Sequence, residues 1–193
     1  MYVFLSLGGI IMSYIWQGEK IKLRAVEMKD FEGYFYSEER DSESDRASFE
    51  IMFPKAKEKI KERVETLSKN TFENDEFFFI IEDKEGNAVG NINTHSCNKR
   101  YGTFQYGLGV KRRYWGNGYA KDAVKIVLQY YFNELRYQKV NVSIYEFNEQ
   151  SIKLHESLGF ILEGRLRRNY YTNGKYYDEL CYGITIEEFI KNK

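Results

Sequence analysis

The 193-residue sequence predicts one α/β domain, on three observations. A chain of this length buries a single core and is too short for two ordinary domains. About seven β-type runs alternate with runs of helical spacing, which is the pattern of a layered sheet-and-helix fold. A tight Gly-x-Gly turn at residues 116–118 joins an apolar β-type run to an amphipathic helical run.

Four strands and two helices are predicted before this turn. The strands are residues 21–26, 76–82, 88–94 and 101–110. The second and third flank a turn-forming segment and predict a hairpin. Asp30 is placed to cap a short helix ending at residue 36. Pro54 suits the first turn of a helix at 54–67, where apolar residues recur at helical spacing.

Two helices and three strands are predicted after the turn. The helices are residues 120–135 and 149–158, and Gly159 is the expected C-terminal stop of the second. The strands are residues 139–145, 162–171 and 177–184. The Asn173-Gly174 pair predicts a tight hairpin turn between the last two.

The Gly-x-Gly turn has the features of a phosphate cradle. Glycines let the backbone approach a ligand closely, and the free N–H groups of the following helix attract an anion. A nucleotide triphosphatase loop would need Lys and Ser/Thr after the last glycine, where this chain has Tyr119 and Ala120. A dinucleotide fingerprint would need a third glycine and an early position in the domain. Neither motif fits.

The order of elements around the cradle resembles the GNAT (Gcn5-related) N-acetyltransferases. Their acyl-CoA loop, Gln/Arg-x-x-Gly-x-Gly/Ala, is similar to residues 115–120, and a later helix motif is similar to residues 148–160. Residues 16–25 and 173–182 resemble the RimJ/RimL-like branch. The resemblance covers residues 16–189. It implies a mixed, mostly antiparallel sheet of about seven strands, helices on both faces, and a splayed strand pair that holds acyl-CoA.

The resemblance also implies acetyl-CoA as the co-substrate and a set of residues that bind it. The cradle would hold the diphosphate, and the Val110 N–H would polarise the thioester carbonyl. Asn148 and Ser151 would hydrogen-bond the pantetheine arm. The cofactor-binding residues implied are Val110, Arg113, Trp115, Gly116, Asn117, Gly118, Tyr119, Ala120, Asn148 and Ser151. Trp115 departs from the family's Gln or Arg.

The pantetheine arm would lie where two strands part, at residues 104–110 and 139–145. Gly107 and Gly109 in the first of these could ease a bulge there. The alternative interpretation of the two glycines is loose packing.

The catalytic residues implied are Val110, His155 and Glu146. His155 stands where many relatives have a tyrosine that acts as general acid, and it could protonate the leaving sulfur if it is charged. A surface histidine is the alternative. Gln105 lies where relatives such as spermidine acetyltransferases have a glutamate, and an amide cannot take a proton. Glu146 is therefore the candidate base, with a solvent-facing carboxylate or a water chain as alternatives.

We therefore expect an N-acetyltransferase whose acceptor is a primary amine, either a protein N-terminus or a small molecule such as a polyamine or aminoglycoside. A catalytically weak acetyl-CoA-binding module is the alternative. The acidic stretch at residues 38–45 predicts a wall that gathers cationic amines, or else a solvated loop.

Composition limits the remaining classes of function. The chain has 29 basic and 29 acidic residues, so no electrostatic footprint for nucleic acid is present. The two cysteines lack metal-site spacing and predict neither a metal site nor a disulfide, which favours a cytoplasmic setting. The apolar residues 1–15 are an extension before a domain at 16–193; they are too short for a membrane span, so no membrane partner is expected. The alternative is that these residues form a homodimer contact.

Overall fold

In the computed structural model, residues 14–36, 41–48, 51–69 and 74–192 are described. They form one seven-stranded sheet, as predicted. The strands are β1 (Ile21–Arg24), β2 (Phe78–Asp83), β3 (Ala88–Asn98), β4 (Thr103–Val110), β5 (Lys139–Tyr145), β6 (Ile161–Thr172) and β7 (Lys175–Thr185). Their order across the sheet is β1-β2-β3-β4-β5-β7-β6. The predicted extension, residues 1–15, lies outside the described residues except for its last two.

All neighbouring strands are antiparallel except β4 and β5, so the sheet is mixed and mostly antiparallel. Both predicted hairpins are confirmed. Asn173 and Gly174 form the turn between β6 and β7, and both have positive φ, as a tight hairpin turn of this type requires.

The helices are α1 (Ser42–Ser48), α2 (Lys57–Ser68), α3 (Tyr119–Asn133), α4 (Glu149–Ser157) and α5 (Ile186–Lys191). The first and last were not predicted, because each is too short for a periodic apolar pattern. Each is held by a side-chain cap at its start. The Asp41 side chain accepts from the Ser44 N–H, and Thr185 and Glu188 form a reciprocal capping box.

Two predicted helix starts are wrong in detail. Asp30 precedes a π-helical turn, Phe31–Phe35, but makes no side-chain cap. Its carboxylate instead accepts two bonds from the Arg24 guanidinium and one from the Glu27 N–H. Pro54 lies outside α2, whose N-cap is Ala56.

The sheet separates two apolar clusters. The larger one lies under α3 and α4 and includes Phe104 and Val140. The smaller one lies on the opposite face, under α2 and the π-helical turn, and includes Val64 and Ile80. The longest helix of the described residues, α3, has 15 residues, and none of the described helices is long and apolar enough to cross a membrane.

β4 and β5 pair over only three positions and then part. Thr103, Phe104 and Gln105 pair with Lys139, Val140 and Asn141, and beyond them β5 pairs only with β7. The predicted splayed strand pair is therefore present. The expected bulge at Gly107 and Gly109 is not, because β4 stays in regular register with β3 from Gln105 to Val110.

The unpaired edge of β4 faces this gap. The Lys111 N–H donates to the Val89 carbonyl on β3, at 2.9 Å. Because backbone groups of successive strand residues point to opposite sides, the N–H and C=O groups of Tyr106, Leu108 and Val110 point toward β5 instead. No β5 residue pairs with them in the described ladder. The gap thus offers unpaired backbone groups to a ligand.

Candidate active site

A cavity of about 700 Å³ occupies the gap between β4 and β5. Its walls come from β4, β5, the start of α3, one face of α4 and part of α1. Nine of the residues proposed from the sequence line it: Val110, Trp115, Gly116, Gly118, Tyr119, Ala120, Asn148, Ser151 and His155. Arg113, Asn117 and Glu146 are not among its lining residues.

The cradle forms the end of the cavity at the N-terminus of α3. Gly116 and Gly118 both have φ of +80°, a conformation that other residues adopt only with strain. The first intrahelical bond runs from the Asp122 N–H to the Gly118 carbonyl, so the N–H groups of the preceding residues have no partner within the helix. This geometry fits an anion.

Lys20 lies beside the cradle. Its Nζ donates to the Asn117 carbonyl at 2.7 Å, and a Cβ added at Gly118 would stand 2.9 Å from that nitrogen. Asn117 and Lys20 line a smaller cavity of about 220 Å³ together with Lys84. The Asn117 side chain donates to the Tyr114 carbonyl, and the Arg113 guanidinium lies over the Tyr114 ring, 5.0 Å from its centre.

Trp115 fixes the end of β4. Its indole N–H donates to the Val110 carbonyl at 2.7 Å. The carbonyl on the gap side of Val110 is thereby satisfied, while the N–H of the same residue stays directed at the cavity. Trp115 departs from the family pattern, but it keeps a hydrogen-bond donor at this position.

The Asn148 side chain makes two hydrogen bonds within the protein. Its Oδ1 accepts from the Ser151 N–H and caps α4, and its Nδ2 donates to the Ala47 carbonyl of α1. It therefore joins two elements across the cavity mouth, and its predicted bond to the pantetheine arm remains a prediction.

His155 is not a surface histidine, since its side chain is almost fully buried on α4. Its Nδ1 lies 2.7 Å from the Ser151 carbonyl, which can only accept, so Nδ1 carries a proton. Burial lowers the pKa of the ring, against the effect of that hydrogen bond. The ring is therefore neutral at pH 7, and Nε2 is an acceptor. A general-acid role needs a proton delivered to Nε2 first.

Tyr106 is a residue that the sequence analysis missed. Its ring stacks on His155, with centres 5.9 Å apart, and it lines the same cavity. The Tyr106 hydroxyl and the His155 Nε2 are both buried, and neither has a hydrogen-bond partner among the described residues. Burial raises the pKa of Tyr106, so the phenol keeps its proton. Alternation with Phe104 puts it on the helix-covered face of β4, and its stacking on His155 makes it a candidate site residue.

The Glu146 carboxylate is engaged by the β6–β7 hairpin, and its role as base remains a prediction. Its Oε1 accepts from the Asp178 N–H and its Oε2 from the Arg165 guanidinium, both at 3.0 Å. Both oxygens thus hold the β6–β7 hairpin rather than face the cavity. Gln105 lines the cavity, as expected for that position, and among the described lining residues no carboxylate is present.

α1 forms a strap over the cavity. Ser44 and Ala47 line it, and Asp41 at the start of the helix makes a two-pronged ion pair with Arg112, at 2.7 and 2.9 Å. Part of the charge of the predicted acidic wall is therefore neutralised. Residues 38–40 of that stretch lie outside the described part of the chain.

A family model described as "Acetyltransferase (GNAT) domain" matches residues 20–161. This match spans most of the chain, including the cradle and the whole of α4. The chain belongs to the GNAT acetyltransferase family. It is an N-acetyltransferase, and enzymes of this family use acetyl-CoA.

Two relatives are similar to this chain over most of its length. The SPbeta prophage-derived N-acetyltransferase YokL of Bacillus subtilis, itself uncharacterized, is 42% identical over 92% of this chain and 96% of its own. The spermidine N(1)-acetyltransferase of Vibrio cholerae is 24% identical over 82% of this chain and 89% of its own.

Solved structures agree on the fold. A GNAT-family acetyltransferase from Bacillus anthracis superposes with a TM-score of 0.71 at 24% identity, covering 89% of this chain and 98% of its own. A spermidine/spermine N-acetyltransferase from Vibrio cholerae superposes with a TM-score of 0.68 at 20% identity, covering 89% and 96%.

Proposed function

We propose that this protein moves the acetyl group of acetyl-CoA to a primary amine by direct attack. The observation that carries the proposal is the gap between β4 and β5. It has an anion cradle at one end, two unpartnered buried polar atoms on one wall, and unpaired strand groups along its side. An acyl-CoA has a diphosphate that matches the cradle, an amide-bearing arm that matches the unpaired strand groups, and a thioester that matches the two buried polar atoms.

The Val110 N–H is the proposed donor to the thioester carbonyl. It points into the gap from the unpaired edge of β4, and Trp115 holds the carbonyl of the same residue. A donor fixed before the reaction stabilises the oxygen as it gains negative charge.

His155 and Tyr106 are the residues proposed to contact the sulfur atom of the thioester. The Tyr106 O–H can donate to the departing thiolate, and the neutral His155 can accept from the product thiol at Nε2. Leaving such atoms unpaired in a folded protein costs about 1–3 kcal/mol each. A ligand that pairs with both explains why they are retained.

The acceptor is proposed as a protein N-terminus or a small-molecule amine. Spermidine is one candidate, because relatives over most of the chain are named spermidine N(1)-acetyltransferases. None of the described lining residues is a carboxylate, so the cavity lining itself does not favour a polycation over other amines.

A thermal-shift titration with acetyl-CoA, followed by measurement of free thiol release with a panel of amines, tests the proposal. We expect stabilisation by acetyl-CoA and amine-dependent thiol release. Binding without thiol release for every amine class would instead identify an acetyl-CoA-binding module. That second candidate is favoured by one observation, the amide of Gln105 in place of a carboxylate.

We also propose a homodimer in a reducing, cytoplasmic setting. Edge strand β6 exposes Ile161, Leu162 and Leu166, and the described cysteines, Cys97 and Cys181, are both free thiols. Size-exclusion chromatography with light scattering measures the assembly directly.

A further inference from the structure

Strand β3 breaks its regular pairing immediately after His95. His95 pairs with Gln105 on β4, but the next pair joins Asn98 to Thr103, so the register shifts between them. Ser96, inside the break, has φ of +52°, in the left-handed region that a serine adopts at a cost. Bulges of this kind re-aim side chains and are over-represented next to active sites.

The break brings Ser96 onto the His95 ring. In a regular strand, adjacent side chains point to opposite faces and cannot meet. Here the Ser96 Oγ lies 3.1 Å from the His95 Nδ1. The Ser96 hydroxyl can accept a hydrogen bond from Nδ1, and in that tautomer the Nε2 atom of His95 is the proton acceptor.

His95 lies opposite Gln105 on the neighbouring strand, on the face of the sheet away from the larger apolar cluster. Both His95 and Gln105 line the cavity. Because successive β4 residues alternate between faces, Gln105 faces away from Tyr106 and from the His155 that stacks on it. The two histidines thus lie on opposite faces of the sheet, at the level where β4 and β5 part.

Few groups in the cavity can take a proton. Its described lining contains tyrosines, two lysines and two histidines, and none of its described residues is a carboxylate. Phenols and ammonium groups hold their protons near neutral pH, whereas imidazole is the side chain suited to exchange one there. Because His155 lies on the opposite face, beside the proposed position of the sulfur, we assign the approach of the amine to the face that carries His95.

We propose that His95 is the general base of the acetyl transfer, an inference that rests on the proposed function. The acceptor arrives as an ammonium ion, and the His95 Nε2 takes one proton from it and passes that proton to water. The neutral nitrogen then bonds to the thioester carbon while the C–S bond breaks. The sulfur leaves with the bonding electrons, and the second proton lost by the nitrogen ends on it as a thiol.

The test compares His95→Gln with Asn93→Ala, a control on the same face of β3 that does not line the cavity. We expect His95→Gln to lower kcat on the order of 10²-fold or more while the Kd for acetyl-CoA is unchanged. The control should keep the wild-type rate. Free imidazole, or a second substitution Gln105→Glu that places a carboxylate opposite position 95, should restore part of the lost rate.

Wild-type kcat in His95→Gln would overturn the inference. So would a loss that neither imidazole nor Gln105→Glu restores, because a purely structural role gives that pattern. If the wild-type protein binds acetyl-CoA but releases no thiol with any amine, the proposed function itself fails. If the wild-type protein is active and the His95→Gln variant is equally active, only the assignment of His95 as the base fails.

Discussion

The indole N–H of Trp115 donates to the Val110 carbonyl at 2.7 Å, across the turn that leads from β4 into the cradle. This bond joins the residue proposed to contact the thioester to the cradle proposed to hold the diphosphate. It also explains how the chain tolerates a tryptophan where the resemblance leads one to expect glutamine or arginine, since all three side chains can donate.

Trp115→Phe should weaken acetyl-CoA binding, because the ring remains but the donor is lost. A single neutral hydrogen bond contributes about 0.5–1.5 kcal/mol, which corresponds to roughly a two- to tenfold rise in Kd. Trp115→Gln keeps a donor and is the matched control. Calorimetry of both variants measures the difference, and equal Kd values for wild type and Trp115→Phe would contradict the role assigned to this bond.

Gly118→Glu should abolish acetyl-CoA binding. The residue has φ of +80° at the N-cap of α3, and a carboxylate there would occupy the cradle and repel a diphosphate. Gly86→Glu is the control, because Gly86 has a similar φ of +86° in the β2–β3 turn and does not line the cavity. A thermal-shift titration in which the folded Gly118→Glu variant still responds to acetyl-CoA would refute the cradle.

His155→Phe should lower kcat on the order of 10²-fold or more and leave acetyl-CoA affinity near the wild-type value. An aromatic ring is kept, but the Nε2 acceptor and the bond to the Ser151 carbonyl are removed. His155→Tyr should restore part of the rate, since it places a phenol at the position where relatives have one. Steady-state kinetics with saturating acetyl-CoA decides this, and an unchanged kcat in the phenylalanine variant would make the histidine a bystander.

Tyr106→Phe should separate stability from activity. The hydroxyl is buried without a partner among the described residues, so its removal should leave Tm unchanged or raise it. The same removal should lower kcat, because the donor to the sulfur is lost. Thermal unfolding and thiol release on one preparation give both numbers, and a destabilised variant with full activity would reverse the interpretation.

Asp30 should make the protein sensitive to acid. Burial alone would raise the pKa of this carboxylate, but its bonds to Arg24 and to the Glu27 N–H hold the pKa below the usual value. A depressed folded-state pKa contributes stability that is present above the unfolded pKa, near 4, and is lost as the pH falls through the folded value. Asp30→Asn should therefore flatten the fall in unfolding free energy below about pH 4. Urea titrations across that range measure it, and an identical slope in the variant would remove Asp30 as the cause.

Much of the fold was readable from sequence because its strands carry apolar alternation and its turns carry glycine or asparagine. β5 matches its predicted bounds, residues 139–145, and the Asn173-Gly174 turn lies where expected. α1 and α5 were missed because they are short and held by caps rather than by an apolar stripe. The glycines at 107 and 109 suggested a bulge, but the irregularity lies one strand away, at Ser96.

The site was only partly readable for a different reason. The cradle is a local motif, so consecutive residues reveal it. Tyr106 and His95 become candidates only through contacts made across the sheet, and no spacing along the chain encodes those contacts. Glu146 was chosen for its place beside the gap, but a carboxylate with two hydrogen-bonded oxygens can be assigned only when Arg165 and Asp178 are seen around it.

The three-residue pairing of β4 with β5 has a mechanical consequence. It divides the sheet into a block of four strands and a block of three, connected by a short ladder and by α3. A sheet joined over its full length resists bending at every ladder bond, whereas this one has a natural hinge line. A ligand bound in the gap would contact both blocks and stiffen the sheet along this line.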